Sequence, residues 1–147
     1  MATTIGIEQP VLSRNDRMAS ELRGRFAKAG TFVVNVLSSP GSGKTTTILA
    51  TNERLRAAGL SCAVIEGDIA SDVDALACKK AGMPAIQINT GGLCHLEGNM
   101  IAQAVDALDA GVGLDSIDVI FIENVGNLVC PVDFDLGENL SVMILSV

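Results

Sequence analysis

Apolar residues fall in two rhythms along the chain. Over residues 11–29 they recur at Val11, Met18, Leu22, Phe26 and Ala29 with Arg and Glu between them, the spacing of an amphipathic helix that stops at Gly30. Ser13 with Asp16 reads as a capping box at its start, and residues 1–10 read as a flexible N-terminus. The next stretch, TFVVNVLSS, is uncharged and β-branched, the pattern of a strand buried on both faces. A helix is expected over residues 43–58, ended by Gly59. The alternation then continues: strand SCAVIEGD, helix SDVDALACKKAG, strand PAIQINTGG, a helix from near His95 to Ala110, strand IDVIFIENVG and strand LSVMILSV. Strands alternating with helices predict an α/β fold, a mostly parallel sheet with helices on both faces. Residues 11–147 read as one domain without internal repeats or linkers. The last apolar strand has no covering element after it, so the domain is expected to be incomplete at its C-terminus.

Composition narrows the classes. Apolar residues make up 48% of the chain, but they come in short runs such as VIFI. None approaches the ~20 residues that span a bilayer. The first residues lack a basic segment followed by an apolar one, and Ala2 stands where myristoylation needs glycine. A cytoplasmic protein that does not engage membranes is expected. A net charge of −7, four Phe and no Trp or Tyr argue against nucleic acid, whose binding needs clustered cations and stacking platforms. The four cysteines, at 62, 78, 94 and 130, do not suggest a disulfide framework. Cys62 in a strand and Cys78 in a helix read as small buried hydrophobes.

The strongest chemical motif is SSPGSGKTTT, residues 38–47, between a strand and a helix. That context makes it a P-loop, although Ser38 replaces the usual opening glycine. Gly41, Ser42 and Gly43 let backbone N–H groups curl round phosphate oxygens, and the helix N-terminus adds partial positive charge. Lys44 is expected to reach the β- and γ-phosphates, Thr45 to hold Mg²⁺ and Thr46 to donate to the α-phosphate. Asp68 ends the second strand, with Asp72 and Asp74 just beyond. Carboxylates at the C-terminal edge of a parallel sheet can hold Mg²⁺ or its waters, although Asp74 also fits a capping box with Ser71. Glu123 ends the fourth strand and could orient water or Mg²⁺. Gly126 could bring a backbone N–H to the γ-phosphate.

The single histidine, His95, stands against Cys94 after two glycines, and Cys130 lies four residues beyond Gly126. In a parallel sheet the loops after the third and fourth strands open on one edge, so these side chains could converge. Two thiolates and an imidazole suit Zn²⁺, Ni²⁺ or Cu⁺, with a fourth ligand from water or a second subunit.

Together, SSPGSGKTTT, EGDIASDVDA, NTGGLCHLEGNM and FIENVGNLVCPVDFDLGE resemble the HypB family of hydrogenase nickel-incorporation GTPases, from about residue 11 to the end. The resemblance implies a P-loop NTPase fold of the nitrogenase iron protein-like class, GTP with Mg²⁺ as cofactors, and Ni²⁺ or Zn²⁺ bound by Cys94, His95 and Cys130 at a dimer interface. It implies catalytic roles for Lys44, Asp68, Asp74 and Glu123, and a nucleotide-dependent homodimer that serves a hydrogenase maturation partner and the hydrogenase large subunit. Two features depart from the family pattern. The chain has neither an N-terminal cysteine motif nor a histidine-rich tract, and none of its four lysines follows an Asn, so the Asn-Lys-x-Asp that reads guanine is missing from it. The rival readings are a urease nickel accessory protein, an ATPase that handles iron–sulfur clusters, and a metal-binding module without turnover.

Overall fold

The computed structural model describes residues 9–67 and 73–147. Five strands make one sheet: β1 (Phe32–Ser38), β2 (Cys62–Glu66), β3 (Ala85–Gln87), β4 (Val119–Glu123) and β5 (Leu140–Ile144). Their order is β3-β2-β4-β1-β5 and every neighbouring pair is parallel. The helices are α1 (Gln9–Ala29), α2 (Lys44–Ala57), α3 (Val73–Lys80) and α4 (Gly98–Val112).

Strands β1, β2 and β4 are largely apolar at successive positions because both of their faces are covered, and alternation sorts their side chains between two cores. Val33, Ala63, Ile65, Ile120 and Ile122 pack with Leu22 and Phe26 of α1 and with Ile101, Val105 and Leu108 of α4. Val36, Cys62, Val64 and Phe121 pack with Ile48 of α2 and with Ala75 and Cys78 of α3. Cys62 and Cys78 are core residues, as their apolar surroundings in sequence indicate, and burial pushes the Cys62 thiol up.

Local signals placed some boundaries wrongly. Helix α1 begins at Gln9, so Ser13 and Asp16 lie inside it and form no capping box at its start. Strand β3 is shorter than PAIQINTGG because its ladder to β2 runs only from Val64 to Glu66. Beyond it, the Asn89 side-chain Oδ1 accepts the Gly91 N–H at 3.0 Å and turns the chain away. Helix α4 begins at Gly98, three residues past His95, because Glu97 is extended (φ −121°, ψ 157°). Two short 3-10 turns, Leu114–Ser116 and Cys130–Asp133, were not foreseen. Among the described residues no helix is long and apolar enough to cross a membrane.

Candidate functional site

Every strand runs the same way, so the loops that follow them open on one edge, where α/β sheets carry their ligands. The P-loop leaves β1 there. Ser38, at the position usually held by glycine, is fully buried and donates its hydroxyl to the Ser39 carbonyl at 2.8 Å. Ser42 donates to the same carbonyl at 2.8 Å, which closes the loop on itself. Gly41 (φ +73°) and Gly43 (φ +88°) occupy left-handed backbone that side chains resist. No side chain caps the start of α2, so the helix presents its first N–H groups to the loop. Lys44 is buried at this point, with Thr45 half-buried and Thr46 exposed.

The Thr45 hydroxyl donates to Glu123 Oε1 at 2.8 Å, joining the P-loop helix to the end of β4. Glu123 is 2% exposed, and among the described residues its Oε2 has no hydrogen-bond partner. A buried carboxylate with half its oxygens unsatisfied is costly unless a cation or donor completes it. Oxygen donors of this kind suit Mg²⁺. Asp68 and Asp72 lie outside the described residues, and Asp74 falls on the first turn of α3.

Sequence reasoning missed Glu66. Its Cα pairs with that of Glu123 across β2 and β4, and it is fully buried. Alternation puts both carboxylates on the α2/α3 face, the face of the P-loop helix. The available signal was a charge ending an otherwise apolar strand two residues before Asp68.

Residues 123–130 run from the P-loop to Cys130. Asn124 anchors the turn: its N–H donates to the Val36 carbonyl at 3.1 Å and its side chain donates to buried Asn35 at 3.0 Å. Gly126 packs on the P-loop so tightly that an added Cβ would lie 3.0–3.1 Å from Pro40 Cγ, Cα and N. The Asn127 side-chain Oδ1 then accepts the N–H groups of Val129 (2.8 Å) and Cys130 (3.4 Å), setting the 3-10 turn that carries Cys130.

Cys94 comes from the β3–α4 loop, whose turn is held by Thr90 and Leu93. Its sulfur lies 3.7 Å from His95 Nδ1. The Cys130 side chain is its hydrogen-bonding neighbour and raises the Cys94 pKa. His95 Nε2 lies 3.0 Å from Glu97 Oε1, and the ring stacks on Phe134 at 3.9 Å with an interplanar angle of 15°. Phe134, Glu97 and Asn127 are further residues that the motif reading did not single out. The predicted trio is therefore brought into one neighbourhood by pairwise contacts, while among the described residues no three His, Cys, Asp or Glu side chains are gathered as a ready metal-holding group.

Residues 32–142 match the model of the CobW/HypB/UreG nucleotide-binding domain. The chain belongs to this family. Among CobW/HypB/UreG proteins, it is 51% identical to a hydrogenase maturation factor HypB of Azotobacter chroococcum over 97% of the chain and 45% of that protein. It is 50% identical to the HypB of Escherichia coli K12 over 96% of the chain and 47% of that protein. The crystal structure of Helicobacter pylori HypB in complex with nickel superposes with a TM-score of 0.81 at 42% identity, covering 88% of this chain and 59% of that one. HypB from Archaeoglobus fulgidus superposes at 0.79 with 38% identity, covering 90% of this chain and 62% of that one. The expected similarity to HypB and the α/β P-loop fold are thus found. The chain spans about half the length of the curated relatives it matches.

Proposed function

We propose that this chain is the nucleotide-binding part of a GTP-hydrolysing nickel metallochaperone that assists metal insertion into hydrogenase, with metal binding coupled to nucleotide state. The observation that carries this reading is the single run of residues 123–130. It begins in a hydrogen bond to Thr45, passes against Pro40 of the P-loop, and ends at the thiol that meets Cys94. The nickel complex of the H. pylori relative supports the choice of metal.

In this reading Lys44, the loop N–H groups of residues 41–43 and the Thr46 hydroxyl bind the phosphates. Thr45 and Glu123, with Asp68 and Asp74, hold Mg²⁺ directly or through water, and the ion neutralises phosphate charge when bound. Because the Thr45 hydroxyl donates its hydrogen bond to Glu123, its oxygen lone pairs remain available to a cation. Glu123 also orients the attacking water, and Gly126 reports the γ-phosphate. Cys94, His95 and Cys130 take Ni²⁺ or Zn²⁺ as cargo, and a second copy of the chain completes the coordination in a nucleotide-dependent homodimer. A hydrogenase maturation partner and the hydrogenase large subunit in the cytoplasm are the recipients.

The test is Ni²⁺ titration with a diphosphate and with a non-hydrolysable triphosphate. A several-fold to roughly hundredfold difference is expected, the range of ~1–3 kcal/mol couplings, and nucleotide affinity must shift by the same factor when metal is added. Equal affinities in both states would sink the coupling.

A further inference from the structure

Asn15 is an unusual residue for its place. It lies inside α1, where asparagine is a poor helix former because its side chain competes for backbone groups. It is also 6% exposed, so its carboxamide must find partners within the protein. Both partners are remote in sequence. Oδ1 accepts the N–H of Gly98 at 2.6 Å, and Nδ2 donates to the carbonyl of Asp135 at 2.7 Å. Gly98 begins α4, whose N-terminal residues have no side-chain cap of their own, so α1 satisfies a helix-start donor from outside the helix.

The two backbone groups that Asn15 joins belong to the two loops of the thiol pair. Gly98 follows His95 by three residues. Asp135 directly follows Phe134, the ring on which His95 stacks, and lies five residues past Cys130. The fit is tight on the Gly98 side, where an added Cβ would lie 3.0 Å from Met18 Cγ and 3.2 Å from Asn15 Oδ1. The same face of α1 grips the second loop again. Arg23 makes two 2.8 Å bonds to the Asp135 carboxylate, and Gly137 lies under the Ala19 carbonyl and Leu22. Only a short carboxamide offers an acceptor and a donor at this spot. Aspartate keeps the acceptor and loses the donor, and alanine loses both.

We infer that Asn15 is a positioning residue for the proposed metal ligands: its carboxamide staples the loop of Cys94 and His95 to the loop of Cys130 and Phe134. Metal affinity then depends on a side chain that touches no metal. This rests on the reading of Cys94, His95 and Cys130 as ligands given above.

The test compares the wild-type chain with Asn15→Ala, Asn15→Asp and Cys130→Ser. Ni²⁺ affinity is measured by chelator competition, Mg²⁺-nucleotide affinity by calorimetry, and the metal-free His95 ring by proton NMR. The chain has one histidine, so its ring signals are unambiguous, and stacking on Phe134 shifts them upfield. Both Asn15 variants should lose roughly 10–100-fold in Ni²⁺ affinity, as removal of groups that orient metal ligands does, and their His95 signals should move downfield. Nucleotide affinity should stay within about twofold. If Asn15→Ala does not fold, Asn15→Asp decides, because it keeps the shape and the bond to Gly98. Folded Asn15 variants with wild-type Ni²⁺ affinity and ring shifts, beside a Cys130→Ser that has lost the metal, would overturn the positioning role alone. A Cys130→Ser that keeps wild-type Ni²⁺ affinity would overturn the ligand reading, and the positioning role with it.

Discussion

At the scale of single residues, the groups that carry the proposed chemistry are held at a cost. Glu123 is buried with one oxygen bonded to Thr45 and the other unpartnered among the described residues. Glu123→Gln removes that charge and keeps the acceptor for Thr45. Without Mg²⁺-nucleotide it should raise stability by about 1 kcal/mol, read from urea midpoints, while hydrolysis falls steeply. A destabilised variant with unchanged turnover would remove Glu123 from the catalytic centre. Lys44→Ala loses a charge-assisted contact worth ~1.5–3 kcal/mol, so calorimetry should find nucleotide binding weakened at least roughly tenfold. The positions of Lys44 and Thr45 were legible because the P-loop motif lies in consecutive letters between a strand and a helix. Asn15 was not, because its partners stand 83 and 120 positions away. Glu66 went unread because its company is set by strand register, and register with β4 appears only once the sheet is built.

Elements were easier to read than their ends. Apolar, β-branched runs announced the strands, since a sheet covered on both faces favours apolar side chains at successive positions. Helix starts depend on which local hydrogen bond wins, and a capping pattern at Ser13 lost to a helix already under way from Gln9. Sequence also could not show that α1 serves as a dock for residues 134–137. That docking depends on Gly137, whose φ of +80° is left-handed and whose added Cβ would lie 2.9 Å from Leu22 Cβ and 3.0 Å from the Ala19 carbonyl. Gly137→Ala pays both the backbone strain and the overlap, and should cost ~2–4 kcal/mol in urea unfolding. The Cys130 thiol should then react faster with a thiol reagent, while Cys62 and Cys78 stay protected. An unchanged Cys130 rate would detach that residue from the α1 dock.

For the whole molecule, acid should find two weak points. The N–H and hydroxyl of Ser61 hold Asp118 below the usual carboxylate range. Burial pushes Asp135 up, but the Arg23 guanidinium and the Gly137 N–H outweigh it and leave its carboxyl lowered as well. Carboxylates with depressed folded pKa values add stability above the unfolded value near 3.9 and lose it as pH falls through the lower folded value. Their contribution to the melting temperature should therefore be flat from pH 7 to about 5 and decline below roughly pH 4, with a shallower acid limb in Asp118→Asn. An equally steep limb in that variant would dismiss Asp118 as a contributor. The division of the sheet into two faces has a consequence of another kind. The Glu66 and Glu123 carboxylates lie toward α2 and α3, whereas the thiols and imidazole lie on loops gripped by α1. On the proposed reading the fold sorts hard from soft donors, so a thiophilic metal arriving in excess would meet sulfur without displacing magnesium from the phosphates. On that reading, a cell under metal stress would load such a protein without poisoning its nucleotide site.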